Sequence, residues 1–273
     1  MKSTHTLDEL KGMLSIHSEK PVIISEGDSW FGYPTSIIPI GHTGTNIIDH
    51  IEATENYNIL RLESNGDEAK CMMKGRQKAK IIYVLGEIEK KLARLDNVPY
   101  PHVHCILFSG GGNDIVGKGD MPRFLRQWES GMGAEDVIIR DEFDSEISQI
   151  RLAYDQLIQL RDAHSIHTKI ITHGYDNLIP WMKGAVFFLG AYRTGPWIKP
   201  FMNVVDIPDG VQPDVVKIMI GDFNAMLDDI AANTDNFIKA ETVGTVNDDE
   251  WLNEIHPIPS AFGKVAAKIM QCM

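Results

Sequence analysis

The stretch PVIISEGDSW, residues 21–30, contains the clearest signal of fold in this chain. Residues 21–26 form a short apolar, β-branched run that ends at Gly27. An uninterrupted apolar run of this length is typical of a strand that is buried on both faces, as in a parallel sheet covered by helices. The turn that follows carries Ser29, which we therefore expect at the carboxyl end of a strand, where such sheets bind ligands.

Strand-like and helix-like segments alternate along the rest of the chain. Further strands are predicted at residues 57–62, 102–108, 169–172 and 237–240, and helices at residues 46–54, 76–95, 143–164, 215–232 and 260–270. This alternation predicts βαβ units, and hence a three-layer α/β sandwich around a five-stranded, mostly parallel sheet. Its strand ends bring together residues 27–30, 64–66, 109–114 and 173–177.

Composition and charge make some classes of partner and some cellular compartments less favourable for this protein. The chain has 273 residues, 43% of them hydrophobic, and a formal net charge of −12, which disfavours nucleic acid and anionic membranes as partners. Three widely spaced cysteines predict no disulfide framework and favour a reducing compartment. Because neither a secretory signal nor a membrane span is visible, we expect a cytoplasmic protein; its oligomeric state is left open.

Residues 179–213 break the alternation of strands and helices. This segment is rich in aromatic residues and prolines, which is not typical of an unstructured linker. A long loop of this kind within a domain is often functional, so it is interpreted as a lid or pocket wall, or else as an extra packed subdomain that only buries core. We expect it to belong to a single domain spanning residues 1–273.

Three segments at or near predicted strand ends carry residues suited to catalysis. Ser29 lies on the tight turn after the first strand, Asn113 lies in the sequence GGND after the third, and His256 precedes Pro257 near the C-terminus. A serine on such a turn can act as a nucleophile, an asparagine amide can donate to an oxyanion, and a histidine can act as a base. Each also has a purely structural interpretation, as a turn residue or a packed loop histidine.

These blocks, in this order, resemble those of the SGNH hydrolases, also called GDSL esterases and lipases. That family has a GDS serine, a glycine after the second strand, a GxND asparagine after the third, and a DxxH pair near the C-terminus. The matching residues here are Ser29, Gly66, Asn113 and His256. The resemblance extends over nearly the whole chain and implies a flavodoxin-like fold with the same five-stranded sheet.

The resemblance also implies an activity, the cleavage of carboxylic esters without a metal or organic cofactor. Ser29 would attack the ester with His256 as base, and the oxyanion would be held by the backbone of Ser29 and Gly66 and the side chain of Asn113. The substrate is expected to be a small-molecule ester, with an apolar acyl group suggested by the aromatic segment. The predicted pocket residues are Trp30, Asp114, Tyr175, Trp181 and Phe188.

One position departs from the family pattern. The family has Asp three residues before the histidine, whereas this chain has Asn253. Asn253 can orient His256 in a weaker triad, or the site can be a Ser–His dyad in which a backbone carbonyl holds the histidine. A carboxylate from a neighbouring residue can also take the place of the Asp; the candidates are Asp248, Asp249, Glu250 and Glu254.

Two alternatives to an esterase remain. The chain could be a catalytically weakened member of the fold that only binds a ligand, with Asn253 as the mark of lost hydrolysis. Residues 112–118 also have the spacing GxxxxGK of a phosphate-binding loop, although Gly119 stands where such a loop needs Ser or Thr.

Overall fold

The structure is a computed structural model that describes residues 4–33, 46–95, 98–117, 119–187 and 192–273. Within these ranges the strands are β1 (Val22–Gly27), β2 (Asn58–Arg61), β3 (Cys105–Ser109), β4 (Lys169–His173), β5 (Ala185–Phe187), β6 (Tyr192–Thr194) and β7 (Phe237–Ala240). Five of them form one sheet in the order β2-β1-β3-β4-β7, and every neighbouring pair is parallel. The predicted five-stranded sheet is confirmed, and it is parallel throughout.

The helices of the described residues surround this sheet. They are α1 (Leu7–Leu14), α2 (Ser29–Gly32), α3 (Ile47–Glu52), α4 (Ala69–Met72), α5 (Gly75–Leu92), α6 (Gly112–Val116), α7 (Arg140–His164), α8 (Lys199–Val204), α9 (Gln212–Asn233) and α10 (Pro259–Met270). Helices α5, α7 and α9 pack successively against one another, while α3 and α10 pack together. This arrangement is the predicted three-layer sandwich.

The hydrophobic pattern of the sequence explains why these elements pack as they do. All six residues of β1 are buried, as expected for a central strand covered on both faces. Helix α5 buries one stripe of its surface, which consists of Ile81, Val84, Leu85, Ile88 and Leu92. None of the helices in the described ranges is long and apolar enough to cross a bilayer.

The main differences from the sequence prediction lie at element ends and in short elements. The third strand starts at Cys105 rather than at residue 102. Just before it, the N–H of Val103 donates to the Glu89 carboxylate of α5, 3.0 Å away, and not to a neighbouring strand. Helix α1 was not predicted, although a capping box formed by Thr6 and Glu9 marks its start.

The aromatic segment at residues 179–213 has secondary structure of its own. It contains the antiparallel pair β5–β6 and the short helix α8. Ile198 and Met202 from this segment are fully buried and join the main hydrophobic core. Part of the segment is therefore an integral piece of the fold.

The sheet order determines where a ligand site is expected. Taken in sequence, the five sheet strands have the order 2-1-3-4-5, in which the direction of winding reverses between β1 and β3. Crevices in open parallel sheets form outside the carboxyl ends of the strands at this reversal. Ser29 follows β1 and Asn113 follows β3, so both lie at this point.

Candidate active site

Ser29 is the first residue of α2, directly after the turn at the end of β1. The Asp28 side chain caps this helix by accepting the N–H of Trp30 at 2.9 Å. Gly27 lies against Ser109 of β3, and a Cβ at position 27 would lie only 2.8 Å from the Ser109 Cβ. The absence of a side chain at Gly27 thus lets the turn approach β3 closely.

The side chains of Ser29, His256 and Asn253 form a hydrogen-bonded chain. His256 Nε2 lies 2.7 Å from Ser29 Oγ, and His256 Nδ1 lies 3.0 Å from Asn253 Oδ1. Because an amide oxygen can only accept, Nδ1 must carry a hydrogen. Nε2 of the neutral ring is then free to accept the hydrogen of the Ser29 hydroxyl.

The loop that carries His256 is fixed to the turn that carries Ser29. Asn253 Oδ1 also accepts the backbone N–H groups of Ile255 at 3.1 Å and His256 at 3.0 Å. The Trp30 indole donates to the Ile255 carbonyl at 3.0 Å, which ties the two segments together. These bonds hold the imidazole and the hydroxyl at a defined distance.

His256 lies in a largely apolar environment. The ring of Tyr33 lies 4.4 Å from it between centroids, and Trp197 approaches edge-on at 5.6 Å. This burial lowers the pKa of His256 to about 3. The imidazole is therefore neutral near pH 7, which is the form that can accept a proton.

Of the four nearby carboxylates, two bind other partners and two are exposed. Glu254 accepts the backbone N–H groups of Ile198 and Lys199, each at 2.9 Å, and that of Trp197. Glu250 binds Lys264 at 2.6 Å, and Asp248 and Asp249 are exposed. Of the arrangements left open by the sequence, the one seen in the structure has Asn253 holding His256.

A small cavity opens beside Ser29. Its empty space, including the mouth, is about 250 Å³. Of the predicted residues, it is lined by Ser29, Trp30, Asn113 and Tyr175, and the remaining lining residues are Asp28, Gly112, Val116, Leu178 and Ile255. The structure thus brings residues that follow β1, β3 and β4 around one space.

The two other predicted oxyanion donors differ in their placement. The Asn113 amide lines the cavity and donates to the Asp67 carbonyl at 2.9 Å, which occupies one of its two hydrogens. Gly66 adopts a φ of 88° in the exposed turn after β2, and it is not among the residues that line the cavity.

Three predicted pocket residues do not line this cavity in the described structure. The Asp114 carboxylate is fully buried and accepts the backbone N–H groups of Ala69 at 2.7 Å and Lys70 at 3.3 Å, so it holds the start of α4 instead. Trp181 is partly exposed, with Lys183 Nζ lying 4.8 Å from its ring centroid. Phe188 lies outside the described residues.

The phosphate-loop alternative does not fit the structure of its segment. Gly112–Val116 is helical, directly after β3, whereas a phosphate-binding loop needs those residues in an open turn before its helix. Lys118 lies outside the described residues.

Asp28, Ser109 and His173 are further polar residues of the site, and the sequence assigned none of them an individual role. All three are buried and lie at or just beyond the ends of β1, β3 and β4. They fall within the strand-end segments 27–30, 109–114 and 173–177 that were expected to meet, and this position is the one signal that the sequence offers for them.

Comparison with known proteins defines the fold. No protein-family model and no curated protein sequence matches the chain. Among solved structures, it is similar to the lipase Lip_vut3 from a goat rumen metagenome, with 13% identity over 93% of this chain and 97% of that chain and a TM-score of 0.53. It is also similar to an extracellular lipase from Streptomyces rimosus, with 12% identity over 93% of this chain and 100% of that chain and a TM-score of 0.51.

At this level of identity the likeness establishes the fold. The chain has the α/β fold of these two lipases, with a five-stranded parallel sheet between layers of helices. The fold that the sequence resemblance implied is confirmed.

Proposed function

We propose that the protein is a serine hydrolase that cleaves carboxylic esters through an acyl-enzyme on Ser29. The observation that carries the proposal is the hydrogen-bonded chain from Ser29 Oγ to His256 Nε2, at 2.7 Å, and from His256 Nδ1 to Asn253 Oδ1, at 3.0 Å. A nucleophile within hydrogen-bond reach of a base that a third group orients is the general arrangement of this chemistry.

In the proposed mechanism Ser29 Oγ attacks the ester carbonyl while His256 Nε2 takes the hydroxyl proton. Collapse of the tetrahedral intermediate breaks the bond to the alcohol oxygen, and the same proton passes from His256 to the leaving alcohol. Water then attacks the carbonyl carbon of the acyl-enzyme while His256 Nε2 takes one of its protons. When the bond to Ser29 Oγ breaks, that proton passes to Oγ, which releases the carboxylic acid and restores the Ser29 hydroxyl.

The charge that develops on the carbonyl oxygen needs hydrogen-bond donors. The proposed donors are the backbone N–H of Ser29, the amide of Asn113 and the backbone N–H of Gly66. The first two residues line the cavity, and Gly66 precedes Asp67, whose carbonyl holds the Asn113 amide. In known enzymes the loss of one such donor costs about 3–4 kcal/mol of transition-state stabilisation.

The small size of the cavity favours a short acyl group on the substrate. Esters of short acids and O-acylated carbohydrates fit this description better than esters of long-chain acids. The aromatic rings of Tyr33 and Trp197 beside His256 give the site an apolar wall. We accordingly propose a small-molecule ester with a short apolar acyl group as the substrate.

A second candidate function is ligand binding without hydrolysis, and the observation that favours it is Asn253. An amide cannot stabilise the cationic imidazole as a carboxylate does, and in a trypsin-like triad the change from Asp to Asn costs about 10⁴ in kcat. The two candidates differ in one measurable property, namely turnover.

The test is the hydrolysis of p-nitrophenyl esters of increasing acyl length by the wild-type protein, Ser29→Ala and Ser148→Ala. Ser148 is an exposed serine of α7 and serves as the control. We expect turnover that is greatest with short acyl chains, is lost in Ser29→Ala and is retained in Ser148→Ala. Turnover by Ser29→Ala at the wild-type rate would contradict the serine mechanism, and the absence of wild-type turnover across the panel would favour ligand binding.

A further inference from the structure

A second cluster of polar side chains lies directly behind Ser29 and is buried from solvent. We call it the Asp28 network; it consists of Asp28, Ser109, His173 and Tyr175, each no more than 2% exposed. Ser109 Oγ lies 2.8 Å from Asp28 Oδ1 and 2.9 Å from His173 Nε2. The Tyr175 hydroxyl donates to Asp28 Oδ2, and His173 Nδ1 lies 3.1 Å from the Gly174 carbonyl.

The number of hydrogens in this network can be counted from its geometry. The Gly174 carbonyl can only accept, so His173 Nδ1 must carry a hydrogen. If the imidazole is neutral, Nε2 is an acceptor and takes the single hydrogen of the Ser109 hydroxyl. That hydrogen is then not available to Asp28, although Asp28 Oδ1 lies at hydrogen-bond distance from the same oxygen.

An ionised Asp28 would place two oxygen atoms without a hydrogen between them 2.8 Å apart in a buried site. One additional proton resolves this conflict. We propose that Asp28 is protonated in the folded protein and donates its carboxyl hydrogen to Ser109, which in turn donates to His173. Asp28 is then a neutral positioning residue for the turn that carries Ser29.

The environment of each group favours this placement of the proton. Burial raises the pKa of Asp28 to about 6, and lowers the pKa of His173 to about 4, so the proton belongs on the acid rather than on the imidazole. The other titratable groups that face Asp28 are Tyr175 after β4, Tyr154 of α7 and Asp67 after β2. Among them, Asp67 further raises the pKa of Asp28 by its negative charge.

The pattern of donors adds to this preference for the neutral acid. Ser109 stabilises an Asp28 anion only when its hydroxyl hydrogen points to the carboxylate. In the proposed arrangement that hydrogen goes to His173, so the anion keeps only the Tyr175 hydroxyl and the Trp30 N–H as donors. In the neutral form each of the bonds that join Asp28, Ser109, His173 and Tyr175 contains one hydrogen, and the Asp28 Oδ1 that donates to Ser109 also accepts the Trp30 N–H.

A neutral Asp28 has a consequence for catalysis, which rests on the proposed esterase function. Asp28 is part of the lining of the cavity where the carbonyl oxygen becomes negatively charged. A carboxylate anion there would oppose that charge, whereas a neutral acid does not. Ester cleavage should therefore fall as the pH rises through the pKa of Asp28.

The protonation state is measured by NMR on full-length protein labelled with ¹³C and ¹⁵N. The Asp28 carboxyl shift reports its pKa, and the long-range ¹H–¹⁵N pattern reports the tautomer of His173. We expect Asp28 to remain mainly protonated at pH 7, where an ordinary Asp with a pKa of about 3.9 is ionised, and we expect the Nδ1–H tautomer at His173. A mainly ionised Asp28 at pH 7, an Nε2–H tautomer, or an imidazolium at His173 beside an ionised Asp28 would overturn the proposal.

The same spectra of Ser29→Ala separate this proposal from the proposed function. The variant should keep the Asp28 pKa and the His173 tautomer, because the network does not depend on the Ser29 hydroxyl. An ordinary Asp28 pKa in this variant would count against the network as described, whatever its esterase activity. If wild-type protein shows the protonated Asp28 but cleaves no ester, the function fails and the network stands.

An amide at position 28 supplies a permanent donor in place of the acid hydrogen. In Asp28→Asn we expect His173 to stay in the Nδ1–H tautomer from pH 5 to pH 9, and any ester cleavage to lose its decline at alkaline pH. A decline that persists unchanged in this variant would contradict the role of Asp28. Should the variant not fold, the wild-type titration decides the protonation state by itself.

Discussion

His256 combines deep burial with an uncharged partner. Its Nδ1–H donates to the Asn253 oxygen, and its ring is covered by Tyr33 and Trp197. Burial disfavours a positive charge on the ring, which is why the pKa of His256 falls to about 3. Asn253 has no charge that would stabilise the cation. The base is thus ready to accept a proton at neutral pH, but the cation formed during the reaction is poorly stabilised.

We expect Asn253→Asp to increase kcat at pH 7–8 by about tenfold or more, because a carboxylate next to Nδ1 stabilises the cationic ring. The same charge raises the pKa of His256, so the acid limb of the pH–rate profile should move from well below 6.5 toward neutral pH. The measurement is kcat against pH with a p-nitrophenyl ester.

The control for this change is Asn203→Asp, which adds the same charge at an exposed position of α8, where an oxygen of the new carboxylate can still accept from Gln212. It should leave the profile unchanged. Loss of activity in Asn253→Asp at unchanged stability would contradict the account, since it would mean that the amide itself is required.

Glu254 connects two elements, the loop that carries His256 and the aromatic segment before α8. Its carboxylate accepts the N–H groups of residues 197–199, and its own N–H donates to the Lys183 carbonyl at 3.3 Å. Trp197, which this contact holds, lies edge-on to His256. The wall of the site is therefore fixed to the loop of the base by one buried side chain.

We predict that Glu254→Gln lowers the free energy of unfolding by about 1–3 kcal/mol, because the amide nitrogen cannot accept and leaves a buried N–H without an acceptor. It should also lower kcat, since Trp197 is released. The comparison is Glu250→Gln, which breaks a partly exposed ion pair with Lys264 and should cost at most about 1 kcal/mol. If the two variants are equally stable in urea, Glu254 does not hold the aromatic segment to the loop that carries His256.

The stability of the whole molecule depends on pH through a buried acid in its central strand. Glu26 of β1 is 2% exposed, and its pKa is raised to about 8 by burial and by the charges of Asp67 and Glu63. The folded protein therefore holds this proton more tightly than the unfolded chain, whose glutamate titrates near 4.5. This contribution to stability is complete below pH 4.5 and is lost as the pH rises to about 8.

Glu26→Gln removes this dependence. We expect the variant to be more stable than wild type by about 1–3 kcal/mol at pH 8, and to differ much less at pH 5. Urea unfolding at the two pH values measures both differences. A stabilisation of the same size at pH 5 as at pH 8 would show that the ionisation of Glu26 is not its cause.

Much of this fold can be predicted from local sequence patterns, and the strand before Gly27 is an example. The run at residues 21–26 is apolar because both of its faces are covered, and that property is visible in the sequence alone. The strand ends that bring Ser29 and Asn113 together follow from the same reasoning. The spacing of residues along the chain does not report tertiary contacts such as the bonds by which Asp114 holds the start of α4.

The Asp28 network could not be derived from sequence for a related reason. Asp28, Ser109 and His173 lie on three different strands or strand ends, and their hydrogen bonds depend on the register between β1, β3 and β4. The hairpin β5–β6 is equally hidden, since aromatic and proline content indicates a structured segment without indicating its form. The sequence shows at which strand ends polar residues meet. The structure adds which of these residues form hydrogen bonds with one another.

The central claim is that Ser29 is an activated nucleophile, and covalent labelling tests it without knowledge of the substrate. A fluorophosphonate probe reacts with a serine whose hydroxyl is activated by a neighbouring base, and peptide mass spectrometry locates the adduct. The account predicts one adduct at Ser29 in the wild-type protein and a strongly reduced adduct in His256→Gln. No adduct at Ser29, or equal labelling of Ser29 in both proteins, would contradict it.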